Sequence, residues 1–519
     1  MERKIKYPVG IQTFSKIIEG NYLYVDKTAL IYSLISESDY VFLSRPRRFG
    51  KSLLMSTLEA YFRGRKELFT GLAISELESD WTEFPVFRFD LSGENYVDAS
   101  RLVENIGFYL DRIELLYDIT SSGSIATRFK QLIMKVNLKY GRKVVILIDE
   151  YDKPLLDCLH NDELHDTLRN ELRSFYSCIK ACDEYIRFAM LTGVSKFGKV
   201  SIFSGLNNLV DISLLPEYND LCGISEKEFR DCFRTSIHNF ALNANLSTEE
   251  TWNRFKSLYD GYHFAKSGDF IYNPFSVLSA FKLNEFNSFW YATGSSAYLI
   301  KLIETNSYSL DRLDGQRRTE AQLGNITDLK YDFVPLLYQS GYLTIKSYDH
   351  DSGEYTLGFP NREVYEAFWT SLKNHFFRTR GGGSDFDVRI LTDDFLCGRP
   401  EDFMRRLQAL FADISSEQER NKEIHFQNMM AVAAKMLGLN VRTEVHSSAG
   451  RCDMQVLTDR FVYIFEFKID GNATDAMRQI HEKGYAGPFS ADKRTIFLIA
   501  ANFSTQKRTL TDWLIETIK

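Results

Sequence analysis

The feature that most constrains the fold is an uninterrupted apolar run from Val144 to Ile148, which ends in the acidic pair Asp149 and Glu150. A strand with one face in water alternates apolar and polar residues, whereas this run is apolar on both faces. Such a strand belongs in the middle of a sheet that helices cover on both sides. The run therefore predicts a central strand of a parallel α/β sheet.

Strand and helix patterns alternate around this run up to about residue 215. Segments with the composition of strands lie at 39–43, 85–91 and 186–192. Amphipathic helical patterns lie at 52–62, 101–140 and 163–182. Repeated alternation of this kind is typical of a doubly wound α/β domain, and this is the fold class we expect for the N-terminal part.

At 519 residues the chain is too long for one hydrophobic core, so several domains are expected. The pattern after residue 225 is mostly helical, and it ends in a hairpin whose turn contains Asp351 and Gly353. A helix followed by a hairpin is similar to a winged-helix lid. Gly381 to Ser384 is the best linker in the chain. We therefore predict domains at 1–222, 223–380 and 385–519.

The last predicted domain has the element order α-β-β-β-α-β. Its strand patterns lie at 441–446, 451–457, 461–468 and 494–500, with a helix at about 474–485. This order predicts a second α/β domain.

A phosphate-binding loop is indicated by Gly50, Lys51 and Ser52, which follow the first strand and open a helix. In such a loop backbone N–H groups point at phosphate oxygens, the lysine reaches the terminal phosphates, and the hydroxyl holds Mg²⁺. The glycine expected five positions before Gly50 is Arg45. The tripeptide alone is therefore equally consistent with an ordinary helix N-terminus that has a serine cap.

Asp149 and Glu150 supply the partner that this loop needs. The first carboxylate would hold the water shell of Mg²⁺, and the second would polarise an attacking water. Each motif alone is common, but both in this order, about 100 residues apart, favour a site for ATP and Mg²⁺. The further residues expected at this site are Arg47, Arg48, Phe49, Leu53 and Thr192. Thr192 is either a sensor of the terminal phosphate or simply the end of a strand, and the two arginines are either phosphate contacts or solvated.

A second chemical site is indicated by Asp453, Glu466 and Lys468. Strand alternation places Glu466 and Lys468 on one face, near Asp453 if the two strands pair. Two carboxylates can hold Mg²⁺ while the lysine orients a water that attacks a phosphodiester. The alternative is a hairpin with exposed charged ends. The apolar residues just before Glu466 favour a buried strand that delivers both charges at its tip.

Four further residues lie close to this second site in the sequence. Gln479 and Tyr485 are expected on the following helix, close to substrate or to Lys468. Glu444 is either a further metal ligand or solvent-facing, and His446 is structural.

The bulk composition limits partners and location. The net charge of −7 gives no overall attraction to nucleic acid, so any such binding must be local. The seven cysteines form no C-x-x-C pair and are expected to be reduced and mostly buried. No apolar stretch is long enough for a membrane span, so we expect a cytoplasmic protein that does not bind membranes.

Several strings together resemble a bacterial family, frequent in Bacteroidetes, in which an AAA-ATPase-like domain precedes a PD-(D/E)XK nuclease-superfamily domain. The strings that carry the resemblance, in chain order, are Pro8–Gln12, Tyr24–Lys27, Ser44–Ser52, Leu147–Asp152, Tyr259–Tyr262, Asn273–Pro274, Gly450–Asp453, Glu466–Lys468 and Gln479–Tyr485. In that family an arginine-rich loop replaces the usual glycine, so Arg45 does not argue against nucleotide binding.

The resemblance implies an ATPase joined to a metal-dependent nuclease that acts on DNA, with Asp453, Glu466 and Lys468 as the nuclease residues. A rival hypothesis is a nucleotide-gated switch whose C-terminal domain binds nucleic acid or a partner without cleaving it. A third is a signalling ATPase assembled into rings. Homo-oligomers therefore stay open, with Arg169 and Arg173 as candidate arginine fingers.

Overall fold

The computed structural model describes residues 5–518, except for 160, 197–207, 291–299, 301–302, 304–309, 311–312, 325, 327–331, 377–387, 414–431, 433–439, 448–449 and 508. The chain forms two compact units. The N-terminal unit comprises Met1–Gly294 and Asp314–Tyr365, and the C-terminal unit comprises Ser295–Leu313 and Glu366–Lys519. The predicted domain boundaries stay predictions, and the predicted linker at 381–384 lies outside the described residues.

The N-terminal unit contains the predicted parallel sheet. Its five strands have the order β2-β3-β4-β1-β5, and every pairing between them is parallel. The strands are β1 (Tyr40–Ser44), β2 (Val86–Asp90), β3 (Val144–Asp149), β4 (Ile186–Gly193) and β5 (Val210–Asp211). All six residues of β3 are buried, as its two apolar faces predict. The α/β fold class is therefore confirmed.

Eight helices are described around this sheet. They are α1 (Phe14–Glu19), α2 (Thr28–Glu37), α3 (Lys51–Phe62), α4 (Ile74–Leu77), α5 (Ala99–Tyr117), α6 (Ile125–Tyr140), α7 (Lys153–Asp157) and α8 (Asp162–Ala181). The strand register sets Asp90 beside Asp149 and Leu43 beside Thr192. Because all the strands run in the same direction, their carboxyl ends share one edge of the sheet, and the candidate nucleotide residues lie along it.

The rest of the N-terminal unit is mostly helical, as predicted, with short strands. Its elements are β6 (Ile224–Ser225), α9 (Glu226–Ala244), α10 (Thr248–Tyr259), β7 (Ile271–Tyr272), α11 (Pro274–Leu283), β8 (Gln316–Thr319), α12 (Glu320–Leu323), α13 (Val334–Ser340), β9 (Thr344–Asp349) and β10 (Glu354–Gly358). The predicted helix and hairpin are α13 with β9 and β10. Strand β8, which was not predicted, pairs with β10. Aromatic rings from α9, α10 and α11 fill the helical core.

Helix α14 (Arg362–Phe376) spans the division between the two units. The C-terminal unit adds α15 (Val388–Leu396), α16 (Pro400–Asp413), β11 (Asn440–Ser447), β12 (Gly450–Leu457), β13 (Phe461–Ile469), α17 (Ala473–Glu482), β14 (Thr495–Ser504) and β15 (Thr509–Thr517). The mixed sheet has the order β11-β12-β13-β14-β15, with only β13 and β14 parallel. The predicted order is confirmed, and β15 extends it. Helix α17 packs on β13 and β14 through an apolar core.

All seven cysteines are free thiols, five of them buried, which agrees with the expectation of reduced thiols. Cys232 and Cys397 are exposed. In the described part of the chain, every helix is too short or too polar to cross a membrane.

Candidate functional sites

The loop between β1 and α3 has the backbone shape of a phosphate-binding loop. Gly50 has a φ of +98°, a left-handed conformation that a side chain disfavours, and it caps the first turn of α3. Arg48 also has a positive φ, of 71°. No atom lies within 4 Å of the position where a Cβ of Gly50 would stand. The space beside Gly50 at the N-terminus of α3 is therefore open, and the first N–H groups of a helix, which lack partners within it, suit an anion.

Lys51 is held inside this loop. Its ammonium group donates hydrogen bonds to the carbonyl oxygens of Arg45 at 3.0 Å and Pro46 at 3.2 Å. It also lies 3.7 Å from Oε1 of Glu150, and only 4% of its side chain is exposed. The loop thus has a fixed positive charge beside its open N–H groups.

Asp149 lies at the end of β3 and is fully buried. Its Oδ1 accepts a hydrogen bond from the hydroxyl of Thr192 at 2.6 Å, whereas its buried Oδ2 has no hydrogen-bond partner in the described structure. Burial raises the pKa of Asp149, and the hydroxyls of Thr192 and Ser52 offset part of this rise. A buried carboxylate oxygen that lacks a donor fits a divalent cation, so Ser52 and Asp149 are suitable residues to hold Mg²⁺.

Glu150 follows with a φ of 54°, which is uncommon for a residue with a side chain. This conformation ends the strand and brings the Glu150 carboxylate towards Lys51. Strain of this kind is often stored at functional sites.

The other residues predicted at the loop have different environments. Thr192 is buried, and its hydroxyl binds Asp149. The ring of Phe49 is 1% exposed and packs edge-on against Tyr262 and Phe264. It therefore anchors the loop, and its backbone is the part that can reach phosphate. The exposed guanidinium of Arg48 lies 5.0 Å from the ring centre of Phe275.

Arg47 is half-buried, and its carbonyl accepts a hydrogen bond from the indole of Trp290. Leu53 lines a small cavity of about 100 Å³ beside the loop, together with Tyr24, Gly50 and Pro274.

Arg45, which stands in place of the usual glycine, is turned into the protein. Its guanidinium donates to the carbonyl oxygens of Ser44, Ser213 and Tyr218 and stacks over Phe264, 4.5 Å from the ring centre. Burial lowers its pKa. The side chain therefore braces the wall of the loop and leaves the phosphate space open.

Asp152 is a buried carboxylate for which no role was predicted from the sequence. It accepts hydrogen bonds from the amides of Val194 at 3.0 Å and Ser195 at 2.5 Å, and from the Ser195 hydroxyl at 2.5 Å. Burial, with the charge of Glu150, raises the pKa of Asp152 to about 6. A Cβ on Gly193 would lie 2.5 Å from Oδ1 of Asp152, so only glycine fits there. In the sequence, Asp152 was indicated only by its position in the family string Leu147–Asp152, two residues after Glu150.

The predicted fingers Arg169 and Arg173 both lie on α8. Arg169 pairs with Asp166 at 3.0 Å, and Arg173 is exposed. Their role stays a prediction.

The second site forms where β12 and β13 separate. The register that pairs Met454 with Phe465 brings Asp453 towards Glu466. Oδ2 of Asp453 accepts a hydrogen bond from the amide of Phe467 at 2.8 Å, which fixes the carboxylate next to β13. Glu466 itself is 2% exposed. The predicted pairing of the two strands thus brings both carboxylates to one place.

Lys468 bridges this strand to the helix that follows. Its ammonium group donates to Oε1 of Glu466 at 3.2 Å and to Oε1 of Gln479 at 2.5 Å. The amide of Gln479 in turn donates to the hydroxyl of Tyr485 at 3.1 Å. The expectation that Gln479 contacts the lysine therefore agrees with the geometry, although α17 ends at Glu482, before Tyr485.

Glu466 is held at an energetic cost. Burial, followed by the nearby charge of Asp453, raises its pKa to about 7, and Lys468 offsets part of this rise. Its Oε2 is buried without a hydrogen-bond partner in the described structure. A divalent cation would satisfy this oxygen and neutralise the two carboxylates, so Asp453 and Glu466 fit a metal.

The described residues contain no group of three or more histidine, cysteine, aspartate or glutamate side chains that could hold a metal ion. The two carboxylates are thus an incomplete ligand set by themselves. Glu444 and His446 lie on β11, outside the residues whose side chains are described.

Fold and geometry define a class: a protein with a P-loop nucleotide-binding sheet and a second, mixed-sheet domain of the nuclease type. Comparisons agree. Residues 8–203 match the family model described as a predicted AAA-ATPase, and residues 421–513 match the PD-(D/E)XK nuclease superfamily. An uncharacterized protein in the vnfD 5' region of Azotobacter chroococcum mcd 1 is 36% identical over 535 residues, covering 100% of both chains. The chain belongs to the family that joins an AAA-ATPase-like domain to a PD-(D/E)XK nuclease-superfamily domain.

Proposed function

We propose that this protein is an ATP-binding P-loop ATPase coupled to a Mg²⁺-dependent DNA nuclease. The observation that carries the proposal is the same at both sites: a buried carboxylate oxygen without a hydrogen-bond donor, beside a lysine. These oxygens are Oδ2 of Asp149 and Oε2 of Glu466. An unsatisfied buried carboxylate destabilises the fold by several kcal/mol, so its retention favours a ligand that completes it.

In the nucleotide site the backbone N–H groups at the start of α3 bind the phosphates, and Lys51 contributes its charge there. Ser52 and Asp149 would hold Mg²⁺, and Glu150 would orient the attacking water. Mg²⁺ supplies charge neutralisation on the phosphate oxygens when it is bound. Thr192 keeps the Asp149 carboxylate in position through its hydroxyl.

In the nuclease site Lys468 is held between Glu466 and Gln479, so its ammonium group has a fixed position beside the two carboxylates. There it orients the water that attacks a phosphodiester. A bound metal ion supplies charge stabilisation on the phosphate when it is held by Asp453 and Glu466. The substrate that we propose is DNA, bound through local contacts because the net charge of −7 gives no overall attraction.

The nuclease is tested with purified full-length chain, plasmid DNA and Mg²⁺. Wild type is expected to cut the DNA, and EDTA is expected to stop the cutting. Lys468→Ala is expected to lower the rate at least about 100-fold, because it removes the group that orients the nucleophile. Lys483→Ala, which removes an exposed lysine just after α17, is the matched control and should leave the rate unchanged. If wild type does not cut the DNA, or if Lys468→Ala still cuts it, the nuclease assignment is contradicted.

The ATPase is tested by calorimetric titration with ATP and Mg²⁺ and by phosphate release. Lys51→Ala is expected to abolish measurable binding, since it removes the cation that faces the phosphates. Lys66→Ala, which removes an exposed lysine after the same helix, is the control. Unchanged affinity in Lys51→Ala contradicts the P-loop assignment. ATP binding without any DNA cleavage would favour the rival function, a nucleotide-gated switch.

The proposal also includes a cytoplasmic location and leaves the oligomeric state to be measured. Cell fractionation and light scattering with and without ATP test these two points. Assembly only with ATP would favour the ring-forming alternative.

A further inference from the structure

The phosphate loop makes one contact that neither phosphate binding nor hydrolysis requires. The indole N–H of Trp290 donates to the carbonyl oxygen of Arg47 at 3.1 Å, although the two residues are 243 positions apart. Trp290 is 4% exposed, and its ring packs edge-on against Tyr342, 5.4 Å between ring centres. The loop therefore rests on a tryptophan from a distant part of the same unit.

Gly341 packs closely against the contact between the loop and Trp290. Gly341 has a φ of +90°, and a Cβ there would lie 2.7 Å from Pro46 and 3.2 Å from the Trp290 ring. Only glycine allows α13 to end against the loop in this way. Pro46 and the indole of Trp290 thus both pack closely against Gly341.

Trp290 is itself fixed by a buried carboxylate. Oε1 of Glu363 accepts hydrogen bonds from the backbone amides of Phe289 at 2.6 Å and Trp290 at 2.7 Å, and Oε2 accepts one from the hydroxyl of Ser276 at 2.8 Å. Glu363 is 2% exposed, and burial raises its pKa to about 7. These three donors satisfy the carboxylate, so its position is strongly determined.

The clamp, defined here as Glu363 and Trp290, lies where the chain leaves the N-terminal unit. The chain passes to the C-terminal unit after Gly294, four residues beyond Trp290, and again after Tyr365, two residues beyond Glu363. The two exit segments are Phe289–Trp290 and Glu363–Tyr365. Since Glu363 accepts hydrogen bonds from the amides of Phe289 and Trp290, it ties these two segments to each other. The indole N–H, which donates to the Arg47 carbonyl, then ties both exit segments to the phosphate loop.

We propose that Trp290 is a positioning residue of the phosphate loop and that the clamp couples nucleotide occupancy of the loop to both exit segments. The inference rests on the proposed function, because it requires ATP at the loop. A phosphate that engages the loop amides fixes the Arg47 carbonyl and so favours one position of the indole. Because Glu363 accepts hydrogen bonds from the backbone amides of Phe289 and Trp290, these residues and Glu363 are held in place together with the indole. Such coupling is reciprocal, so loss of the clamp weakens nucleotide binding.

The test uses full-length chain in which Trp290→Phe removes the N–H donor and keeps a smaller aromatic ring. Trp513→Phe is the matched control, since the indole of Trp513 donates to Glu401 at 3.2 Å within the C-terminal unit. Trp290→Phe is expected to raise the Kd for a non-hydrolysable ATP analogue with Mg²⁺ about three- to tenfold, the range for one neutral hydrogen bond. Trp513→Phe is expected to bind like wild type.

Amide hydrogen exchange at Phe289 and Trp290 gives a readout that simple support of the fold would not move. In wild type, saturation with the analogue is expected to slow their exchange at least about threefold. In Trp290→Phe, saturation is expected to leave it unchanged. The single variant Glu363→Gln keeps an acceptor oxygen for both amides. Saturation with the analogue is therefore expected to slow exchange at Phe289 and Trp290 in this variant nearly as much as in wild type.

The outcomes separate the inference from the proposed function. Wild-type chain that binds no nucleotide overturns both. Wild-type chain that binds the analogue without slower exchange at Phe289 and Trp290 overturns the coupling alone, and this measurement stands even if Trp290→Phe does not fold. A Trp290→Phe chain that binds and responds like Trp513→Phe also overturns it.

Discussion

Replacing Glu466 with glutamine should stabilise the metal-free protein at alkaline pH while removing a ligand of the proposed metal site. The carboxylate is 2% exposed, and its pKa is raised from 4.5 to about 7. At about 1.4 kcal/mol for each pKa unit, ionised Glu466 costs roughly 3 kcal/mol relative to its protonated form. Glutamine has nearly the same shape and no charge, so the variant avoids this cost.

The pH dependence of the stability follows from the raised pKa of Glu466. Because the folded-state pKa lies above the unfolded-state value, the folded chain keeps a proton between pH 4.5 and about 7 that the unfolded chain releases. Wild type therefore loses stability as the pH rises through this window. Glu466→Gln lacks this loss, so its advantage should be small at pH 4.5 and reach roughly 3 kcal/mol at pH 8.

The assay is urea unfolding in EDTA at pH 4.5 and pH 8. Unfolding is monitored by amide exchange in peptides from β12 and β13. These peptides report on the C-terminal unit, whereas a whole-chain signal would mix the two units. Excess Mg²⁺ at pH 8 should then stabilise wild type and leave the variant unchanged. A variant no more stable than wild type at pH 8, or one with the same advantage at both pH values, would refute the argument.

Two further predictions concern the nucleotide site. Gly193→Ala should destabilise the protein by about 1–3 kcal/mol in thermal or urea unfolding, because the added methyl group overlaps Oδ1 of Asp152. Its control is Gly107→Ala in α5, where no atom lies within 4 Å of the new Cβ, and this variant should gain up to about 1 kcal/mol. Thr192→Val removes a hydrogen bond to Asp149, which should move the acidic limb of the ATPase pH profile upward by about one to two units. An unmoved limb would show that this hydroxyl does not tune the carboxylate.

The sequence predicted best the elements whose pattern is set by burial. Strand β3 is apolar at five successive positions and buried throughout, so its place in the sheet could be inferred directly. Strands β8 and β15 were missed because both are edge strands with polar, partly exposed residues, and their pairing depends on a neighbouring strand. Periodicity does not encode that kind of pairing.

The candidate sites show the same difference. Lys51 and Asp149 could be proposed from the sequence because the chemistry of phosphate and metal binding limits the residue types at two strand ends, and their roles stay predictions. The convergence of Asp453 and Glu466 followed from one pairing of adjacent strands. Trp290 and Glu363 were not predictable, since their significance depends on contacts that span 243 and 73 positions. A tryptophan and a glutamate in a helical region have no pattern of their own.

The buried position of Arg45 restricts how the loop can change in evolution. Substitution of Arg45 by glycine would restore the usual phosphate-loop pattern in the sequence. It would also remove the donors from three buried carbonyl oxygens and leave a space beside Phe264. A single change of Arg45 to glycine is therefore expected to destabilise the loop of this chain. A search based on glycine spacing alone would consequently not find the candidate phosphate loop of this chain.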